Sequence, residues 1–195
     1  MCGRYYIADD DRLGEMVRRL AEREGLSVKT GEIFPGDTAP VYVGGSRLKL
    51  TALKWGTELN GKTLINARSE TAGEKKRFCG ALNAPACLTG SMAETAAEDC
   101  RLLVPASAYF EWDEKKVRHC LGRKETGLYM AGLKLRDRFV ILTRASEGGT
   151  EKIHSRMPVI FDREDGLCWL RSGGGFVRAL TDEIGEKTLP GSVRI

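Results

Sequence analysis

The sequence predicts an α+β fold, a single domain with an antiparallel, barrel-like β core and helices packed outside it. Three observations lead there. Short apolar runs at 101–104, 108–112, 117–121, 127–133 and 138–143 follow one another at the spacing of a sheet or open barrel. Helical patterns are confined to a few stretches, at about 10–24, 70–78 and 163–171. The 195 residues, 42% hydrophobic and 30% charged, suffice for one sizeable core and contain no repeat, linker or low-complexity tract, so residues 1–195 read as one domain.

The elements follow in order. Over 10–24, Leu13, Met16, Val17 and Leu20 form an apolar stripe, Asp9 to Asp11 supply capping groups, and Gly25 stops the helix. Ile33-Phe34-Pro35-Gly36-Asp37 is a turn signal. Val41 to Val43 and Leu48 to Leu53 make a hairpin around Gly44-Gly45-Ser46. A short strand at 64–66 enters Asn66-Ala67-Arg68-Ser69-Glu70-Thr71, and the Ala-, Gly- and Thr-rich 79–99 reads as loop and helix. After the five strand candidates come a strand at 158–161, a helix at 163–171, a Gly173-Gly174-Gly175 break and a last short helix.

Composition bounds the function. A net charge of +4 permits an anionic partner without requiring one. The six cysteines form no C-x-x-C pair, and with His119 and His154 the only histidines no metal-ligand spacing arises. No apolar h-region opens the chain and no stretch approaches the ~18 apolar residues of a membrane span, so a reduced, cytoplasmic protein with small core cysteines is expected. No heptad pattern argues against a monomer.

Four short stretches carry polar groups where a strand or turn is ordinarily bland. The first is Met1-Cys2-Gly3-Arg4. Loss of Met1, which a small second residue permits, leaves an α-amine and a thiol on adjacent carbons of Cys2. Such a pair attacks one aldehyde twice, the amine giving a Schiff base and the sulfur closing a thiazolidine. The amine suits this because its ordinary pKa is about 7.7–8.0, against about 10.4 for lysine. The others are Asn66 to Thr71, Pro105-Ala106-Ser107-Ala108-Tyr109-Phe110-Glu111-Trp112, and His154-Ser155-Arg156-Met157-Pro158. Taken singly, each has a plain structural reading: a turn asparagine, the solvent-facing member of an alternating strand, a surface histidine.

Together and in order, with Lys54-Trp55-Gly56 between them, these stretches resemble the SRAP family of SOS response-associated peptidase-like, abasic-site processing proteins, from residue 2 to about 170. The resemblance implies covalent capture of abasic sites in single-stranded DNA through Cys2, by Schiff base and then thiazolidine, with β-elimination as a side activity and no cofactor. It implies that His154 opens the deoxyribose ring and moves protons, that Glu111 serves acid–base steps, and that Asn66 holds Cys2 and the sugar oxygen. It further implies that Thr143 contacts the opened sugar, that Arg4, Arg68 and Arg156 clamp phosphates, that Trp55 stacks an unstacked base, and that Pro35 wedges against the bases. Lys75, Lys76 and Arg77 would extend the basic surface, and the DNA-bound protein would be associated with the nucleoid. Ala108 and Ser155 depart from the family pattern, which usually has Gly and Asn there.

A second reading stays open at this point. N-terminal-nucleophile amidohydrolases also begin Met-Cys-Gly, and Thr30-Gly31-Glu32-Ile33 is similar to one of their later motifs. In that chemistry the thiol attacks an amide and the α-amine is the base.

Overall fold

The residues just after Cys2 form an internal strand of a sheet. The computed structural model describes residues 2–44, 48–84, 99–123, 127–171 and 185–186. In chain order these give β1 (Arg4–Ile7), α1 (Arg12–Glu24), β2 (Gly31–Ile33), β3 (Thr38–Val43), β4 (Lys49–Trp55), β5 (Thr57–Leu59), β6 (Lys62–Leu64), β7 (Asn66–Arg68), α2 (Ser69–Ala72) and α3 (Lys76–Asn83). Then follow β8 (Cys100–Ala106), β9 (Ala108–Trp112), β10 (Arg118–Gly122), β11 (Leu128–Leu135), β12 (Arg138–Ala145), a 3-10 turn (Thr150–Lys152), β13 (Arg156–Pro158), β14 (Ile160–Phe161), α4 (Arg163–Arg171) and β15 (Gly185–Glu186).

The strands make two main sheets. One runs β15-β10-β9-β1-β2, antiparallel throughout. In the other, β12 pairs β4, β4 pairs β3, β3 pairs β8, β8 pairs β11, and β11 pairs β12 again, so the ladder closes on itself as a ring. The expected α+β architecture is therefore present, with one amendment. β12 runs parallel to both β4 and β7, because the chain leaves β4 and returns through β5, β6 and β7 along the same side of β12.

The ring strands are apolar on both faces, and the packing explains it. Ala39, Val41, Leu102, Val104, Met130, Phe139 and Ile141 join Tyr5, Ile7, Ile33, Tyr109 and Leu121 of the five-stranded sheet in one core. Their alternates Tyr42, Leu103, Leu133, Val140 and Leu142 join Phe78 and Ala81 of α3 and Trp169 and Leu170 of α4 in a second. Successive side chains point to opposite faces, so a strand between two cores reads as a continuous apolar run. Close approach inside the ring also fixes Gly132, where a Cβ would meet Leu102 Cδ1 at 2.5 Å and Val140 O at 2.9 Å.

The helices are anchored by specific polar groups. Asp11 caps α1 by accepting from Gly14 N at 2.7 Å, and Gly25 closes it in the left-handed region with φ 62°. A Cβ on Gly14 would lie 1.6 Å from Ala8 O, so only glycine lets α1 sit against the end of β1. Ser107 fastens the same corner, accepting from Ala8 N at 2.9 Å and donating to Asp11 Oδ2 at 2.6 Å. Buried Arg101 donates to Leu82 O and Ala84 O, each at 2.7 Å, and to Trp169 O at 2.7 Å, where carbonyls at the ends of α3 and α4 favour a cation.

Several expectations shift. The expected helix at 70–78 is two helices, since Gly73 ends α2. The strand expected at 158–161 is β13 and β14, and the helix at 163–171 is α4. The hairpin tip at 45–47, most of 79–99 and the glycine break with its helix lie outside the described residues. Cys100 is disulfide-bonded, an exception among the cysteines expected to be mostly reduced, while Cys2, Cys79, Cys120 and Cys168 are free thiols. Among the described residues no helix is long and apolar enough to cross a membrane.

Candidate active site

The ladder of the five-stranded sheet begins at Arg4, paired with Phe110, so Cys2 lies just ahead of it. Cys2 is nonetheless 0% exposed. Its carbonyl accepts from Asn66 Nδ2 at 2.8 Å, and its Sγ lies 3.7 Å from Arg4 O. Asn66 reaches it because β7 runs beside β12, with Asn66 opposite Ile141 and Arg68 opposite Thr143. The parallel pairing that sequence patterning did not foresee is thus what brings Asn66 to the N-terminus.

Glu111 arrives from β9. Tyr109 and Glu111 share the inward face, and Glu111 is 3% exposed. Burial raises its pKa, while the positive chain terminus and His154 pull it back down. The same burial, followed by the charge on Glu111, pushes the Cys2 thiol far above its ordinary range. His154 follows the 3-10 turn, whose Thr150 carbonyl accepts from His154 N at 3.1 Å. Its Nδ1 lies 3.0 Å from Arg156 N and 3.2 Å from Arg156 O. A neutral imidazole accepts there from the amide, which puts its proton on Nε2; a protonated one donates from Nδ1 to the carbonyl. Both charge states of His154 have a backbone partner.

Cys2, Asn66 and Glu111, all buried, and the half-buried His154 are therefore linked by the Asn66–Cys2 bond and by the electrostatic influence of Glu111 on Cys2 and of His154 on Glu111. The arrangement holds a thiol in its protonated form beside a carboxyl whose pKa burial raises and an imidazole with a backbone partner in either protonation state. Among the described residues no group of three or more His, Cys, Asp or Glu could hold a metal ion.

The remaining expected residues surround this point unevenly. Arg4 lies 4.6 Å from the centre of the Phe34 ring and 5.1 Å from Trp112, and pairs with Glu32 at 3.2 Å. Phe34 is 37% exposed, and Pro35 beside it is exposed too. Their turn is held firmly, with Phe34 N donating to Asp37 Oδ2 and Gly36 N donating to Trp55 O, both at 2.8 Å. Arg68 stands exposed at the end of β7. Arg156 grips Glu70 through both Nη atoms, at 2.7 and 2.8 Å, and donates to Thr143 O at 2.6 Å. That double hydrogen bond holds the Glu70 carboxyl at about 2. Thr143 is buried, its Oγ1 3.4 Å from Ala67 O.

Trp55 requires a correction. It is 0% exposed, stacked on Phe139 with centroids 6.3 Å apart, tilted against Tyr5 at 5.1 Å, and donates from Nε1 to Ile65 O at 3.1 Å. No nucleobase can reach its face. The aromatic side chain was legible in the sequence, but whether it faced solvent depended on the β4–β12 pairing.

With the site assembled from the first residue to Arg156, comparison with known proteins is decisive: the description "SOS response associated peptidase (SRAP)" matches residues 1–186. The chain belongs to the SRAP family. It is 31% identical over 194 residues to the abasic site processing protein YobE of Bacillus subtilis (strain 168), covering 87% of this chain and 82% of that one. It is 28% identical over 195 residues to the abasic site processing protein YoqW of Bacillus phage SPbeta, covering 87% and 80%. A solved structure from Bordetella bronchiseptica superposes with a TM-score of 0.69 at 18% identity, over 95% of this chain and 98% of that one. One from Bacteroides thetaiotaomicron gives 0.63 at 17%, over 95% and 90%. At those identities the structural likeness shows a shared fold alone.

Three residues of this SRAP chain were not singled out from sequence. Glu70 became visible only through the two hydrogen bonds it accepts from Arg156, across 86 positions. Tyr5 and Tyr109 are cross-strand partners and share one core with Cys2. The available signal was phase: Tyr5 alternates with Ile7 on the inward face, and Tyr109 with Glu111.

Proposed function

We propose that this chain processes abasic sites in single-stranded DNA by condensing with them through Cys2. The observation that carries the reading is that a fixed, buried Cys2 lies within electrostatic reach of buried Glu111, which is in turn within reach of half-buried His154. The names of its SRAP relatives support it.

The amine becomes free when Met1 is removed, by an aminopeptidase or by the site itself. An abasic sugar in its ring-opened form presents an aldehyde. The Cys2 nitrogen adds to that carbon, and Glu111, whose carboxyl retains its proton to higher pH than usual, protonates the departing hydroxyl so that water leaves and the imine forms. His154 exchanges the proton needed to open the sugar ring, cycling between the two Arg156 backbone contacts. The sulfur then adds to the imine carbon. The environment of the thiol supports this order: a nucleophilic cysteine of the hydrolase type needs a lowered pKa, and here burial and Glu111 raise it. That runs against the amidohydrolase alternative.

Strand binding falls to the exposed groups around the site. Arg68 is a free-standing candidate for phosphate contact, and Phe34 with Pro35 forms a rigid apolar projection against which bases rest. Nothing in this set reads base edges, so sequence preference is expected to be weak.

The test combines Met1-free protein with an abasic-site oligonucleotide and measures intact mass after denaturation. The expected product is protein plus oligonucleotide less one water, absent from Cys2→Ser. Cys2→Ala is expected to give an imine trapped by borohydride and some strand cleavage by β-elimination. Hydrolysis of glutamine or peptides with no DNA adduct would overturn the proposal.

A further inference from the structure

Two tyrosine hydroxyls beside Cys2 have no evident structural purpose. Tyr5 and Tyr109 are both 0% exposed, and neither Oη has a hydrogen-bond partner among the described residues. Burying a hydroxyl unpaired costs stability, and phenylalanine would fill the same space without that cost. A buried polar atom left unmatched in this way calls for an explanation.

Their location supplies one. Tyr5 and Tyr109 are direct cross-strand partners on β1 and β9, so their side chains stand side by side on the inward face. Cys2 belongs to the same buried cluster, three residues before Tyr5. After burial, negative charge on Cys2 is the strongest influence opposing ionisation of either tyrosine, which places both within electrostatic reach of the sulfur. Both therefore keep their protons and remain donors throughout the ordinary pH range.

The chemistry of the proposed function needs such donors. When the ring closes, the Cys2 S–H proton leaves to Glu111 or water. The sulfur lone pair forms the C–S bond, and the C=N pair of the protonated imine returns to nitrogen, giving a neutral secondary amine. On reopening, the C–S pair returns to sulfur, the nitrogen lone pair restores C=N as the protonated imine, and sulfur takes up a proton from Glu111 or water. In both directions sulfur carries negative charge at the barrier, in surroundings whose burial disfavours it.

We propose that the Tyr5 and Tyr109 hydroxyls donate hydrogen bonds to the Cys2 sulfur while it is negatively charged, and so set the rates at which the thiazolidine closes and reopens. The inference rests on the function proposed above. It assigns both tyrosines a catalytic role at the reacting sulfur and leaves imine formation to Glu111 and His154.

The experiment compares Tyr5→Phe, Tyr109→Phe and the double variant with Tyr42→Phe. Tyr42 is the control: its hydroxyl is likewise buried and unmatched, but it lies in the second core, away from Cys2. Met1-free protein is mixed with an abasic oligonucleotide and quenched with borohydride at intervals, which separates imine from closed ring. Release is followed by chase with a second, labelled oligonucleotide. The expected result is unchanged imine formation, with closure and release each slowed about 10-fold per hydroxyl removed, and no kinetic change in Tyr42→Phe. Melting temperatures unchanged or raised in all variants accompany this result. Wild-type closure and release in the folded single variants would overturn the inference. Ring closure with acetaldehyde, run in parallel, needs no DNA. If wild-type protein forms no DNA adduct the proposed function fails, and the acetaldehyde rates still decide whether the hydroxyls act on the sulfur.

Discussion

Replacing Asn66 with alanine removes the one described side chain that ties Cys2 to the ring of strands. Cys2 and Gly3 precede the first paired residue, Arg4, so the ladder does not hold them. The Asn66 Nδ2 donor, 2.8 Å from Cys2 O and buried, does. A neutral hydrogen bond is worth about 0.5–1.5 kcal/mol net, but a buried acceptor left unmatched costs about 1–3 kcal/mol. Stability should fall by that second amount. If the loss also appears as freedom of the reacting residue, crosslinking slows by about 10- to 100-fold, at about 1.4 kcal/mol per factor of ten. The assay is single-turnover adduct formation at saturating abasic oligonucleotide, paired with thermal unfolding. Asn66→Asp, with the same shape but no amide donor, should behave like Asn66→Ala. A folded Asn66→Ala variant reacting within twofold of wild type would refute the argument that this bond positions the nucleophile.

Other consequences follow from the same geometry. Glu111 has its pKa raised by burial above an ordinary 4.5; between those two values the unfolded chain has released a proton that the folded one retains, so stability falls as pH rises through that window. Glu111→Gln should abolish this loss, matching wild type in melting temperature near pH 4 and exceeding it above, while slowing adduct formation across the pH range. Glu70 has the opposite sign: its folded pKa of about 2 lies below the ordinary 4.5, so the Arg156 pair contributes above 4.5 and is lost as pH falls toward 2. Because Glu70 is about half exposed, Glu70→Gln should cost only ~0.5–1 kcal/mol at neutral pH and markedly less at pH 2, read from urea unfolding at both. Trp55→Phe forfeits the bond to Ile65 O and should cost ~1–3 kcal/mol of stability, with affinity for undamaged single-stranded DNA unchanged in a polarisation titration; a selective loss of affinity would restore the stacking role.

The parts of the fold that were legible in the sequence are those set by local chemistry. The helix over Arg12–Glu24 is fixed by an aspartate cap, an apolar stripe and a terminal glycine, all within one segment. β9 and α4 fall at the residues that alternation and helical period indicate. The strands not anticipated were those whose state depends on partners. β1 and β2 are short and ambiguous alone, and become strands because β9 and one another are available to pair with. The candidate site was legible for a different reason: its residues lie in short motifs whose order in the chain matched a known family.

By itself, then, the sequence determined which reactive groups exist and which segments would bury them: a cysteine at position 2, a carboxyl within an aromatic strand, a histidine followed by an arginine, and enough apolar residues for two cores. Tertiary structure decided how those groups act. The parallel run of β7 along β12 sets Asn66 against Cys2, the inward phase of β9 buries Glu111, and Glu70 reaches Arg156 across the chain. The pairing of β4 with β12 sends Trp55 into the core. Burial, proton affinity and ion pairing depend on what surrounds a group in space, and those surroundings come from strands far apart in sequence, so no local pattern of residues could encode them.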